Sequence, residues 1–203
     1  MLLATPFVPE ITDYKNLATR LKEKGNLLNH VHLIICEPEH EAEAYAWGED
    51  VTDLFLKTSI KVLAPDQRTN AQRANDLFRS AVQFAASYQP AIGEVTDPAL
   101  LYLDPTYRPS TPGWLDKIQA DYYFNKAPMT YGQSTQDDEG AKIFQGPLVV
   151  SKEFGPASGL LDFVPTNIHY RTHLKWEFTK GSVESSLIGT GSSSVLRPQP
   201  IKK

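Results

Sequence analysis

The feature that most limits the fold is a regular alternation of short apolar runs with segments of helical periodicity. Apolar runs at residues 2–8, 30–36, 59–64 and 99–103 predict buried strands, because they are short and bounded by turn residues. Between them, apolar residues recur at helical spacing over 14–21, 69–88 and 114–122. The alternation predicts an α/β fold, a three-layer α/β/α sandwich with a mainly parallel central sheet.

The length and charge of the chain favour one domain that does not bind nucleic acid. With 203 residues, the chain can bury one sizeable core. We expect one domain over residues 1–185, in which residues 1–123 are more periodic than residues 124–185. Residues 186–203, rich in Gly, Ser and Pro, predict a flexible tail that could dock on a protein partner. The net charge of −4 argues against a nucleic-acid partner.

A single cysteine, Cys36, lies within an apolar run. One cysteine excludes an intrachain disulfide and argues against a cysteine-based zinc site, so Cys36 is predicted to be a small buried residue. This pattern favours a reducing compartment, and we expect the protein to be cytoplasmic. No apolar stretch reaches the roughly 18 residues of a membrane span, so we predict none.

A carboxylate ends the fourth predicted strand. The run Ala99–Leu103 stops at Asp104, and three prolines precede the next helix, which begins near Trp114. Ligands of parallel α/β sheets bind outside the carboxyl ends of the strands, so Asp104 is a candidate ligand-binding residue. The alternative is that Asp104 starts a turn, a position where aspartate is common.

Two segments carry a resemblance to a known family. "NAQRAN" at 70–75 and "LLYLDPTYRPSTPGWLDKI" at 100–118, in this order of elements, resemble the nucleotide-sugar-binding domain of family-2-like GT-A-type glycosyltransferases. The resemblance covers residues 1–123, and it implies that these residues are the nucleotide-sugar-binding part of the domain and that residues 124–185 are the acceptor-side part. It implies a Rossmann-type nucleotide-binding architecture, a nucleoside-diphosphate sugar donor, a carbohydrate or glycan acceptor and transfer to an acceptor hydroxyl.

The resemblance also implies a divalent metal, but the metal motif departs from the family pattern. Family members carry Asp-x-Asp where this chain has Asp104-Pro105-Thr106. By the resemblance, Mn²⁺ or Mg²⁺ would be held by Asp104 and by a late residue such as His169. With Thr106 in place of the second carboxylate, we expect weaker metal binding, metal-independent binding or lost activity. Surface or core positions are the alternative for His169 and His173.

Further site residues follow from position within the resemblance. Donor contacts are expected from Thr5, in the first strand, and from Glu37, after the second. Arg68 and Arg73 flank the start of a predicted helix, where an arginine could pair with the diphosphate. Asp137 or Asp138 would be the base that deprotonates the acceptor. The alternatives are surface arginines and solvated acidic loops.

Other patterns do not add a function. The segment "EPEHE" at 37–41 holds metal-binding residue types, but one loop rarely supplies a metal site without a second element. The chain has no Walker, dinucleotide-binding or Gly-x-Ser-x-Gly motif. The sequence thus predicts a glycosyltransferase, and the alternative is a catalytically inactive carbohydrate-binding or assembly subunit of the same fold.

Overall fold

The computed structural model describes residues 1–25, 27–64, 70–89, 99–104, 106–125, 127–136, 142–151, 172–174 and 183–198. The helices there are α1 (Tyr14–Lys24), α2 (Glu41–Val51), α3 (Asn70–Ser87) and α4 (Trp114–Asn125). The strands are β1 (Leu2–Phe7), β2 (Val31–Cys36), β3 (Lys57–Val62), β4 (Leu100–Tyr102), β5 (Tyr107–Pro109), β6 (Met129–Gln136), β7 (Lys142–Val150), β8 (Thr172–Leu174), β9 (Val183–Glu184) and β10 (Leu196–Pro198).

The main sheet is mixed and mainly parallel. Its strand order is β3-β2-β1-β4-β7-β6-β9, and β8 also pairs with β7. The strands β3, β2, β1 and β4 are parallel neighbours, whereas β7 runs antiparallel to β4, β6 and β8. β5 and β10 form a separate antiparallel pair. The predicted mainly parallel sheet is therefore confirmed.

Helices cover both faces of the sheet. On one face, Leu3 and Phe7 of β1 lie in a core cluster with buried residues of α1, α2 and α4. On the other face, Leu2 and Ala4 of the same strand pack with buried residues of α3. Because neighbouring residues of a strand point to opposite faces, β1 contributes to both cores. This arrangement confirms the predicted three-layer α/β/α sandwich.

Helix α2 was not predicted from the sequence. Its buried residues, Ala44, Trp47, Gly48 and Val51, have helical spacing, but the acidic residues before them indicated a solvated segment. Glu41 and Glu43 lie in the first turn, where negative charge interacts favourably with the helix dipole. Gly48 lets the helix approach the sheet, because a Cβ there would lie 2.9 Å from Cδ1 of Ile60.

The last part of the chain is more ordered than its composition indicated. The prediction of a flexible tail over 186–203 is wrong for residues 186–198, because β10 pairs with β5 and Ile188, Val195 and Leu196 are buried in the core. These three apolar residues anchor the otherwise Gly/Ser-rich segment, because their side chains are buried in the core. Residues 186–198 therefore do not form a flexible tail that could dock on a protein partner.

The polar segment 133–142 contains the ends of two paired strands. β6 extends to Gln136 and β7 begins at Lys142, so the two strands of a hairpin include both ends of this segment. Residues 137–141 lie outside the described residues. Within the described part of the chain, no helix has both the length and the apolar character needed to cross a bilayer.

We predict that Phe78→Ala lowers the free energy of unfolding by about 3–5 kcal/mol, because it leaves a large cavity between α3 and the sheet. Phe78 is 1% exposed, and its ring contacts Tyr102 of β4 edge-on at 5.1 Å between centroids. Urea unfolding measures the change. The control Gln83→Ala, at an exposed position of the same helix, should change stability by less than about 0.5 kcal/mol. A loss below about 1 kcal/mol in Phe78→Ala would contradict the packing described.

Candidate functional site

The carboxyl ends of the four parallel strands form the candidate site. The strand order runs from β1 through β2 to β3 on one side and from β1 to β4 on the other, so it reverses between β1 and β4. In open α/β sheets, this reversal leaves a crevice outside the strand ends in which ligands bind. The segments after β1, β2 and β4 meet at this edge, and Asp104 lies two residues beyond β4.

Tyr14 fixes the segment after β1. Its hydroxyl donates to the carbonyl of Pro6 at 2.7 Å and accepts from the amide of Val8 at 2.7 Å. The indole Nε1 of Trp47 donates to the carbonyl of Tyr14 at 3.1 Å, which ties α2 to the start of α1. The ring of Tyr14 also stacks on Phe7 at 4.1 Å between centroids. These contacts position the chain where β1 leaves the sheet.

Asp104 is held as a turn residue. The amide and the hydroxyl of Thr106 both donate to Oδ1 of Asp104, at 2.8 and 2.5 Å, and the amide of Gly146 donates to the same carboxyl group. Asp104 is only 6% exposed. Burial raises the pKa of Asp104, and the hydrogen bonds and the positive charge of Arg108 oppose that rise. The predicted position at the end of a central strand is confirmed.

These contacts do not fit a divalent cation at Asp104. Thr106, at the place of the family's second carboxylate, donates its hydroxyl proton to Asp104. One buried carboxylate whose oxygen already accepts two hydrogen bonds is a poor ligand set for Mg²⁺ or Mn²⁺, which prefer several oxygen ligands. His169, the predicted second ligand, lies outside the described residues.

Arg108 is a buried cation that no sequence pattern indicated. It lies in β5 and donates to the carbonyl of Tyr107 at 2.7 Å. Burial lowers the pKa of Arg108, while electrostatic interactions with Tyr14, Asp13 and Asp104 oppose that fall. Asp13 is the N-cap of α1 and Asp104 follows β4, so the positive charge of Arg108 interacts with acidic residues from both sides of the strand-order reversal. Its position between the two prolines of "PTYRP" at 105–109 gave no sequence signal.

Thr5 is not available to a ligand in the described structure. It is fully buried, and its hydroxyl pairs with Nε2 of His32 at 3.1 Å. The imidazole stacks on Phe55 at 4.4 Å between centroids and meets Trp47 edge-on at 5.5 Å. The donor contact predicted for Thr5 therefore does not fit its position inside the sheet.

The other predicted residues are only partly described. Glu37 follows β2 at the carboxyl edge, where it precedes a short 3₁₀ helix, Pro38–His40. Arg73 belongs to α3, but its side chain is not among the described atoms. Arg68, Asp137 and Asp138 lie outside the described residues, so their predicted roles stay predictions.

A second polar group at the same edge was also missed. Glu10, Glu39 and His40 each place one side-chain N or O atom within 4.8 Å of the other two. Nε2 of His40 lies 2.9 Å from Oε1 of Glu10 and 3.7 Å from Oε1 of Glu39. "EPEHE" contained two of these residues, but nothing in the sequence indicated that Glu10 joins them.

Comparisons with known proteins give limited information. No family model and no curated protein matches the chain. Mouse xyloside xylosyltransferase 1, in its apo form, is 12% identical with a TM-score of 0.41, over 78% of this chain and 69% of that protein. A protein of Bacillus anthracis described as a glucose-1-phosphate thymidylyltransferase, in complex with a sucrose, is 9% identical with a TM-score of 0.43, over 79% and 78%. Likenesses this weak carry no argument about function.

We predict that protonation of His32 destabilises the fold in acid. Burial lowers the pKa of His32 from 6.5 to about 3, so below pH 6.5 the proton binds the unfolded chain in preference. At pH 4 the loss from this group is about 3 kcal/mol relative to neutral pH. Urea unfolding at about pH 7 and pH 4 measures it. In His32→Leu, the drop in stability between these values should be smaller by this amount, and an equal drop in both proteins would contradict the prediction.

Proposed function

We propose that the protein is a glycosyltransferase that binds a nucleoside-diphosphate sugar at the carboxyl edge between β1 and β4. The observation that carries the proposal is the reversal of strand order between β1 and β4, with Asp104 two residues beyond β4. The resemblance of residues 100–118 to the GT-A donor-binding segment supports a nucleotide sugar as the ligand. A carbohydrate or glycan hydroxyl is the proposed acceptor.

The proposed donor contacts come from several elements. Glu37, after β2, contacts the nucleoside, and Arg68 and Arg73 pair with the diphosphate near the start of α3. Asp104 shapes the turn that faces the donor, and Arg108 behind it adds positive charge at this edge. Thr5 is left out because its hydroxyl is buried against His32.

The proposed reaction is an inverting displacement. Asp137 or Asp138 takes the proton of the acceptor hydroxyl, and the acceptor oxygen forms a bond to the anomeric carbon. The bond from that carbon to the diphosphate breaks, and the nucleoside diphosphate leaves with the electron pair. Positive charge from arginines near the diphosphate stabilises the leaving group. No step is assigned to a metal ion, since Asp104 and Thr106 do not fit one.

A second candidate function is a catalytically inactive subunit that keeps the fold and binds carbohydrate. The hydrogen bonds from Thr106 and Gly146 to Asp104 favour it, because they account for the carboxylate without a ligand. The two functions differ in whether a nucleoside diphosphate binds at the carboxyl edge.

We expect a nucleoside diphosphate or its sugar to raise the melting temperature of the protein. A ligand at about 100 times its Kd contributes about 2.7 kcal/mol to the folded state. A screen of nucleotide sugars by thermal unfolding, followed by assays of donor hydrolysis, tests binding and turnover separately. Binding and hydrolysis together support the transferase. Absence of binding across the screen contradicts it, and carbohydrate binding without nucleotide binding favours the inactive subunit.

We predict that Asp104→Asn changes nucleoside-diphosphate affinity by the same factor with and without Mn²⁺. The amide oxygen of Asn can still accept from Thr106, so the turn should persist. If Asp104 held the cation instead, the variant should lose at least tenfold in affinity, about 1.4 kcal/mol, only when Mn²⁺ is present. Isothermal titration with and without Mn²⁺ distinguishes these results. A loss confined to the Mn²⁺ condition would contradict the metal-independent interpretation.

A further inference from the structure

We propose that Glu10, Glu39 and His40 form a binding site for a divalent transition-metal ion of the zinc class. In the part of the chain described, these residues bring two carboxylates and one imidazole together at the carboxyl edge of the sheet. The proposal does not depend on the proposed function, because it rests on the geometry of these side chains alone.

The spacing of the donor atoms is suitable for one metal ion. Bonds of about 2.0–2.1 Å in a tetrahedral arrangement separate two ligand atoms by about 3.3 Å. Nε2 of His40 lies 2.9 Å from a carboxylate oxygen of Glu10 and 3.7 Å from one of Glu39, so the two distances lie on either side of this value. The Glu10 and Glu39 ligand atoms also lie within 4.8 Å of each other, so the two exposed carboxylates would turn toward an ion held by His40.

The three residues come from two separate connections. Glu39 and His40 lie in the 3₁₀ helix after β2, and Glu10 follows β1. One loop rarely supplies all the ligands of a metal site, and Glu10 adds a ligand from a second segment of the chain. The hydrogen bonds of Tyr14 to Pro6 and Val8 fix the chain just before Glu10, so its approach to His40 is built into the fold.

The imidazole is better positioned than an ordinary surface histidine. The His40 side chain is 18% exposed, its amide donates to the carbonyl of Glu37 at 3.0 Å, and its ring lies 6.5 Å from the ring of Phe7. The Glu10 and Glu39 side chains are 59% and 56% exposed. The buried side of the site therefore orients the nitrogen ligand, and the solvent side leaves room for water or an oxygen of an anionic ligand as a fourth ligand.

The donor set favours zinc over magnesium or calcium. An imidazole nitrogen suits zinc, copper and nickel, whereas magnesium and calcium take oxygen ligands. Two carboxylates with a neutral imidazole balance the charge of a divalent cation. Without metal, Nε2 of His40 donates to Glu10, and the metal ion would replace that proton.

Zinc binding to the full chain tests the proposal. We expect titration with ZnCl₂ alone to show one site, tighter for Zn²⁺ than for Mn²⁺ and weakest for Mg²⁺. His40→Gln and Glu10→Gln should each weaken Zn²⁺ binding at least tenfold. Glu43→Gln is the matched control, because Glu43 is an exposed carboxylate on the adjacent first turn of α2 and is outside the group; it should leave the affinity unchanged.

Two further measurements separate a loss of the site from a loss of folding or from binding elsewhere. Urea unfolding without metal should show that each variant folds, since the Glu10 side chain is 59% exposed and the glutamine at 40 keeps a polar side chain at a partly buried position. Co²⁺ should give a visible absorption spectrum that changes in His40→Gln, because that variant removes the nitrogen ligand. Absence of Zn²⁺ binding by the unmodified protein, or equal binding by the protein and His40→Gln, would overturn the proposal.

Discussion

Burial of β1 on both faces is the constraint on which the rest of the structure depends. All six residues of the strand are buried, and it pairs with β2 on one side and with β4 on the other. A strand in this position needs helices on both faces to exclude water from its side chains. α1, α2 and α4 cover one face and α3 covers the other, and the strand order must then reverse beside β1. The central strand thereby sets the place of the candidate site.

Two polar side chains near this strand, Thr5 and Asp104, are buried and hydrogen-bonded, which limits what they can do for a ligand. Thr5 pairs with His32 inside the sheet, and Asp104 accepts hydrogen bonds from Thr106 and Gly146. A buried polar group without such partners would cost roughly 1–3 kcal/mol, so these contacts stabilise the fold. Glu10 and Glu39, which lie beside His40 at the same edge, have carboxylates that are more than half exposed. Charge available to a cation is therefore found after β1 and β2 in the described residues, away from the buried carboxylate after β4.

The backbone at Asp104 depends on a distant part of the chain. Gly146 has a φ of +85°, and a Cβ at that position would lie 2.7 Å from the ring of Tyr107. Glycine is the residue that adopts this backbone conformation without steric cost, and it lets β7 approach the turn after β4 closely enough for the Gly146 amide to reach Asp104. The sequence shows a Gly-Pro pair at 146–147, but it does not indicate which residue the backbone contacts there.

The sequence by itself determined the elements whose apolar residues repeat with a clear period. β1, β2, α1, α3 and α4 follow from such local patterns, and so does the position of Asp104 after a buried strand, because strand and helix periodicity are properties of neighbouring residues. Tertiary structure decided which groups meet across the fold. It placed Glu10 beside His40, Thr106 and Gly146 beside Asp104, and Leu196 in the core. The acidic composition before α2 and the Gly/Ser-rich composition before β10 had instead indicated segments exposed to solvent. These contacts depend on how separate elements pack, so the sequence next to each residue does not predict which distant residue it will contact.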